Sequence, residues 1–256
     1  MNIPIQVVIP AAGAGSRFRE VGVNTPKPLI PISGIPMIVW VITNFSLFPE
    51  DKLVIVCQES DNIKEHLDEF SHLVPCKIEF VEINGLTDGP ATTVALAANN
   101  LDLDMPVIIA NSDQFVSAGL AEFVESVRES RFEGTILTME ASGNKWSYVG
   151  RDEFGKITEV VEKQEISSEA TVGIYAWSTA RRMIEGIEYL KSINLKVNNE
   201  FYLAPTYGFL IEKGLSIGTV SVGSHGNAVH GLGTPADLDL FLNHQNFKVF
   251  RKQVSG

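Results

Sequence analysis

Four short apolar runs, at 6–9, 53–56, 78–81 and 107–110, recur through the first half of this chain with helix-like segments between them. Apolar residues in near-continuous runs, rather than at alternate positions, suit strands buried on both faces. Pro36 opens Met37-Ile38-Val39-Trp40-Val41-Ile42 as a first-turn proline. Val94, Ala97, Ala98 and Leu101 share one helix face, and Leu120, Phe123, Val124 and Val127 share another after Ser117. Such alternation predicts a parallel sheet with right-handed crossovers, and ligands of such sheets bind beyond the strand C-termini.

The first strand end carries a distinctive loop. Residues 7–9 empty into Pro10-Ala11-Ala12-Gly13-Ala14-Gly15-Ser16-Arg17-Phe18, and Thr25-Pro26-Lys27-Pro28-Leu29 follows. Small side chains at Ala12, Gly13, Ala14 and Gly15 leave backbone N–H groups open to an anion. Arg17 adds a planar fork of donors, and Lys27, held extended between prolines, adds a movable point charge. Two cations on one glycine loop suit a triphosphate; the alternative is a surface turn with incidental charges. A Walker A loop would need Gly-Lys-Ser/Thr where the chain has Gly15-Ser16-Arg17. A Rossmann fingerprint would need a small residue at Phe18 and a helix straight after the loop, which Asn24-Thr25-Pro26-Lys27-Pro28 forbids.

Beyond Arg131 the pattern changes. Segments 134–140, 147–150, 157–161 and 171–177 read as strands joined by short turns, predicting antiparallel pairing in a smaller β lobe. One helix with Met183, Ile184 and Ile187 inward and another from about 199 to 213 follow. Thr234-Pro235-Ala236-Asp237 starts a last helix with an N-cap threonine, a first-turn proline and an acidic residue. The expectation is α/β: a Rossmann-like, mostly parallel sheet flanked by helices, with a smaller antiparallel lobe, as one domain over 1–256. A chain of 256 residues with 45% apolar content can bury that core.

A net charge of −11 without a long basic run argues against nucleic acid as a partner, so an anionic substrate must be drawn in by a few placed cations. Cys57 and Cys76 lack C-x-x-C spacing and resemble small core residues, which makes a reducing cytoplasm the default compartment. No basic region precedes the first apolar run, so no signal peptide is expected. No apolar stretch reaches about 18 residues, so membrane insertion is not expected either.

Three further motifs bear on chemistry. Asn111-Ser112-Asp113-Gln114 follows an apolar strand and puts Asp113 at the mouth of the sheet. One carboxylate there can hold Mg²⁺, whose shell phosphates and water complete; the plainer reading is an Asx-turn. Asp88-Gly89-Pro90-Ala91-Thr92-Thr93 places Gly89 where the chain can pass close to a flat ligand, or is simply a loop before a helix. Glu162-Lys163 ends a strand as an adjacent acid and base, a pair that is more often solvated than functional. Of the five histidines, His66 and His72 flank a helix, His225 and His230 lie near a late strand, and His244 falls in the final helix, so only His230 has a claim on the cleft.

The order Gly-x-Gly-x-Arg, Pro-Lys-Pro-Leu-x-Pro, Asp-Gly-x-Ala, an aspartate after the fourth strand, Tyr-x-Gly before Gly-Lys-Ile, Glu-Lys and Gly-Ile-Tyr resembles the sugar-1-phosphate nucleotidyltransferases, the nucleotide-sugar pyrophosphorylases. The resemblance runs over roughly 5–245. It implies the nucleotide-diphospho-sugar transferase type of fold, with about 1–130 holding the nucleotide and about 131–256 the sugar phosphate. It also implies that a sugar-1-phosphate attacks a nucleoside triphosphate in the presence of Mg²⁺ and releases pyrophosphate, as in surface-polysaccharide precursor synthesis. By resemblance, Gly13, Ala14 and Gly89 contact triphosphate or base, Arg17 and Lys27 stabilise the transition state and pyrophosphate, and Asp113 is the metal ligand. Val149, Gly150 and Gly173 wall the sugar, Glu162 binds its hydroxyls, and Lys163 binds its phosphate.

The family pattern breaks at Gly231, where many members carry a second metal-binding aspartate. Either Glu200, Asn227 or His230 substitutes, with Glu200 counted among the sugar-phosphate contacts, or water fills the position, or the substrate geometry differs. A glycosyltransferase of related fold would carry Asp-x-Asp where Ser112-Asp113-Gln114 stands, and a non-catalytic nucleotide-sugar sensor would not need Arg17, Lys27, Asp113 and Lys163 together.

Overall fold

A computed structural model describes residues 3–255. The first strand, β1 (Gln6–Pro10), is followed by the glycine loop and one helical turn, α1 (Ser16–Arg19). That turn corrects the expectation that no helix follows the loop directly. Gly15, at φ 62, allows the sharp reversal that starts it, and the turn ends well before the prolines. A small ladder of β2 (Pro31–Ile32) with β3 (Ile35–Pro36) leads into α2 (Met37–Thr43), β4 (Lys52–Gln58), α3 (Ile63–Asp68) and β5 (Lys77–Ile83). Next come α4 (Pro90–Ala95), β6 (Val107–Ala110), β7 (Gln114–Val116) and α5 (Leu120–Arg128). Val94, Ala97 and Leu101 are buried as their spacing predicts, although α4 ends at Ala95 and a 3-10 turn covers Ala98–Asn100.

Strands β8 (Gly134–Glu140), β9 (Ser147–Arg151), β10 (Ile157–Glu162) and β11 (Glu169–Trp177) follow. After them lie α6 (Ala180–Ser192), α7 (Tyr207–Glu212), β12 (Ile217–Ser224), β13 (Val229–Gly231), α8 (Pro235–Leu242) and α9 (Phe247–Ser255). The main sheet has nine strands, ordered β10-β9-β11-β6-β1-β4-β5, with β8 pairing β11 and β12. Strands β6, β1, β4 and β5 run parallel, and β11 joins β6 antiparallel through Ile174↔Ala110 to Trp177↔Val107. The antiparallel strands therefore extend the parallel sheet instead of forming a separate one. The helix expected from about 199 is shorter: Asn198 and Asn199 are left-handed, Val197 pairs with Glu200, and α7 begins only at Tyr207.

Helices cover both faces. On one side Trp40, Phe115, Phe241 and Phe250 pack together, and on the other Trp177, Met183, Tyr207 and Leu210 do. A buried ion pair pins the start of β1, because Asp51 accepts from Arg128 at 2.6 and 2.9 Å and from Ile5 N at 2.9 Å. Thr234 caps α8 as expected, accepting from Asp237 N at 3.1 Å.

Candidate active site

The glycine loop is fixed from below. Ala11 N donates to Val56 O at 2.7 Å, and Gln58 Nε2 donates to both Ala12 O and Gly85 O at 2.9 Å. A Cβ on Gly13 would meet nothing within 4 Å, so packing does not demand that glycine and its upper surface is open. A cavity of about 230 Å³ lies there, lined by Pro10, Ala12, Gly13, Ala14, Gly89 and Glu200 among others. Gly89 is forced by its own neighbours. At φ 111 its Cβ would sit 2.7 Å from Phe201 O, because segment 200–201 hydrogen-bonds across the 88–91 loop.

A second cavity, about 330 Å³, brings Arg17, Asp113, Glu162, Lys163 and Gly173 together. These five residues come from four separate stretches of sequence, all of them picked out by motif. Lys27 Nζ donates to Asp113 Oδ2 at 2.8 Å, with side-chain exposures of 19% and 24%, so the loop cation meets the strand-end carboxylate that lines this cavity. Glu162 accepts from Ser147 Oγ, and burial pushes its carboxyl above the ordinary glutamate value against the pull of Ser147 and Lys163. Lys163, left-handed at φ 56, contacts the Tyr202 hydroxyl, which donates to Glu200 Oε2 at 2.5 Å. Gly173 sits in a bulge of β11 at φ 85, and a Cβ there would meet Asn111 Nδ2 at 2.1 Å.

Three sequence expectations need revision. Val149 and Gly150 do not line the cavity: Gly150 packs on Glu159 and Ile166, where a Cβ would be 2.6 Å from Glu159 Cγ. The cavity lies at the start of β9, so Trp146 and Ser147 form that wall. Glu200 lines the smaller cavity and reaches the larger one only through Tyr202. His230 lies within an aromatic cluster with Phe115, Phe241, Phe250 and His244, is 5% exposed, and is pushed down to about 4, chiefly by burial. His244 itself lies between α8 and α9. Tyr202, Trp146 and Ser147 carried no motif signal, whereas Asn111 and Gln114 stood within the quoted Asp113 motif.

At Gly231 the structure shows which acid is near. A Cβ there would lie 3.3 Å from Asp237 Cγ, so a carboxylate from α8 occupies the space beside that position. Asn227 is an exposed residue whose carbonyl accepts from Ser117 Oγ. Among the described residues no group of three or more His, Cys, Asp or Glu side chains could hold a metal. A single carboxylate still fits Mg²⁺, which takes one or two protein carboxylates when phosphates and water complete its shell.

Comparison with known proteins settles the family. Residues 6–199 match the nucleotidyl transferase family model. The chain belongs to the nucleotidyl transferase family. UTP–glucose-1-phosphate uridylyltransferase AglF of Haloferax volcanii is 25% identical to this nucleotidyl transferase over 225 residues, covering 85% of this chain and 88% of that protein. Bifunctional protein GlmU of Methanocaldococcus jannaschii is 27% identical over 190 residues, covering 73% of this chain but 43% of its own length. Among solved structures, a nucleoside-diphosphate-sugar pyrophosphorylase from Vibrio cholerae superposes with a TM-score of 0.79 at 24% identity, covering 93% and 100% of the two chains. The inositol-1-phosphate CTP transferase from T. maritima gives 0.72 at 17% identity, covering 100% and 99%. These likenesses agree with the mostly parallel sheet and its antiparallel extension.

Proposed function

We propose that this nucleotidyl transferase moves a nucleoside monophosphate from a nucleoside triphosphate to a sugar-1-phosphate, giving a nucleotide sugar and pyrophosphate. The observation that carries the reading is the ion pair of Lys27 with Asp113, whose carboxylate lines one cavity together with Arg17, Glu162 and Lys163. The smaller cavity over Ala12, Gly13, Ala14 and Gly89 takes the nucleoside, and the larger takes the acceptor. The names of AglF and of the Vibrio pyrophosphorylase support a sugar phosphate as acceptor.

An oxygen of the acceptor phosphate attacks the α-phosphorus. The new P–O bond forms as the bond to the bridging oxygen breaks, and pyrophosphate leaves with that electron pair. The acceptor phosphate is ionised at neutral pH, so no general base is required. Catalysis is positioning and charge. Arg17 and Lys27 face the charge that builds on the leaving pyrophosphate, Lys163 orients the attacking phosphate, and Glu162 receives hydroxyl donors of the sugar. Asp113 would hold Mg²⁺, which when bound neutralises triphosphate charge. Surface-polysaccharide precursor synthesis in the cytoplasm is the proposed setting, with residues up to about 130 serving the nucleotide and the rest, Glu200 apart, the acceptor.

The test is a matrix of four nucleoside triphosphates against a panel of sugar-1-phosphates, read as pyrophosphate release. Adding pyrophosphate to the purified product should regenerate the triphosphate. Absence of pyrophosphate release and exchange across the matrix would overturn the reading.

A further inference from the structure

The two cavities share Pro90 in their linings, and Glu200 connects to both. On one side it lines the smaller cavity, with its Cβ 2.9 Å from where a Cβ on Gly89 would be. On the other, its Oε2 accepts from Tyr202, whose hydroxyl contacts Lys163 in the larger cavity. Its position is fixed by backbone. Asn198 and Asn199 turn the chain in left-handed conformations, Val197 and Glu200 exchange hydrogen bonds at 3.0 Å, and Phe201 N donates to Asp88 O at 2.7 Å.

The chemistry of the smaller cavity singles this carboxylate out. Among the described residues Glu200 is the one charged side chain in its lining. The two hydroxyl protons there are already engaged, one between Thr87 and Thr93, 2.6 Å apart, and the other toward Gly89 O, which lies 3.1 and 3.2 Å from the two oxygens. Among the described residues Glu200 Oε1 has no protein donor, and a carboxylate accepts only. Next to a polyanion, such an oxygen repels the phosphates and is matched by hydroxyl donors from a neutral part of the ligand. With the base over Gly13 and Gly89 and the phosphates at Arg17 and Lys27, the part of a nucleotide that crosses this junction is the sugar ring. Its 2′- and 3′-hydroxyls supply two donors, the match that an acidic residue makes in dinucleotide sites.

We propose that Glu200 binds the 2′- and 3′-hydroxyls of the triphosphate's ribose and makes the enzyme select ribonucleotides over 2′-deoxyribonucleotides. This rests on the assignment of the smaller cavity to the nucleoside. Glu200 thereby leaves the acceptor set and joins the nucleotide set.

The experiment compares matched ribo-, 2′-deoxy- and 3′-deoxyribonucleoside triphosphates, both as substrates and in metal-free binding titrations, on the wild type and on Glu200→Gln and Glu200→Ala. Losing one hydrogen bond to a charged acceptor should cost about 10- to 100-fold in affinity and in kcat/KM. Glu200→Ala should shrink the ribo-to-deoxy ratio to below about 3-fold by weakening the ribonucleotide alone, and Glu200→Gln should fall between. A wild-type ratio near one overturns the proposal. So does a Glu200→Ala loss shared equally by ribo and deoxy forms, or one that follows the base instead of the sugar. Should no triphosphate be turned over with any acceptor, the transferase reading fails, while the titrations still decide the role of Glu200. If the variants do not fold, equal wild-type binding of the ribo form and both deoxy forms is refutation enough.

Discussion

Replacing Gly233 with alanine tests the Asp113 assignment without touching any group thought to act in the reaction. Gly233 is not left-handed, so its backbone accepts alanine. A Cβ there would lie 2.3 Å from Asp113 Oδ2 and 3.1 Å from its Cγ. To regain ordinary contact the carboxylate must retreat by roughly 1 Å. Its partner Lys27 Nζ is held at 2.8 Å by that same oxygen, so the retreat disturbs both charges. A displacement of about 1 Å in a positioned group can cost on the order of 100-fold in rate. The expected outcome is a fall of that size in kcat for pyrophosphate release, with the thermal midpoint of the nucleotide-free protein nearly unchanged because Asp113 is only part-buried. The Mg²⁺ concentration for half-maximal activity should rise as well. Near wild-type kcat in a folded Gly233→Ala protein would refute the reasoning, since the carboxylate could then move freely without consequence.

Arg17→Ala and Lys27→Ala should each lower turnover on the order of 100-fold, the usual effect of removing one donor aimed at developing charge, with unaltered circular dichroism; full activity in both would remove the loop from the mechanism. Lys163→Ala should raise KM for the phosphorylated acceptor more than for the triphosphate, and the reverse split would mean the two phosphate subsites are exchanged. Burial raises the Glu162 carboxyl in the folded state, so its contribution to stability is present at low pH and lost as pH climbs above the ordinary glutamate value of 4.5. Glu162→Gln should therefore flatten the decline of the urea midpoint above that pH while weakening acceptor discrimination, and an unchanged slope would show that the group is well solvated. Asp51→Ala strands the Arg128 guanidinium, 4% exposed, without its carboxylate and should cost about 3–5 kcal/mol in urea unfolding; a loss under about 1 kcal/mol would place the pair in the same class as surface ion pairs.

Local sequence determined the elements and the identity of most charged site residues. Runs of apolar residues gave β1, β4 and β6 because a strand buried on both faces has no place for polar side chains. Thr234 and Asp237 marked the start of α8 because a cap is satisfied within one turn. Arg17, Lys27 and Asp113 could be picked out from their place at a strand end or in a loop of small and rigid residues, whereas Glu162 and Lys163 stood out only through the family resemblance. What the sequence did not carry was which of these groups face one another. The Lys27 to Asp113 contact spans 86 positions and exists only because β1 and β6 lie side by side in register. The same dependence explains the misplacements. Ser147 rather than Val149 or Gly150 reaches the cavity because β9 enters the sheet at that end, through pairings with β10 and β11. Glu200 lines the smaller cavity because its neighbour Phe201 hydrogen-bonds to the 88–91 loop, and Gly231 has a carboxylate beside it because α8 folds Asp237 back over β13. Periodicity and caps are set by interactions within a few residues, whereas the composition of a cleft is set by strand order and register, which only long-range packing decides.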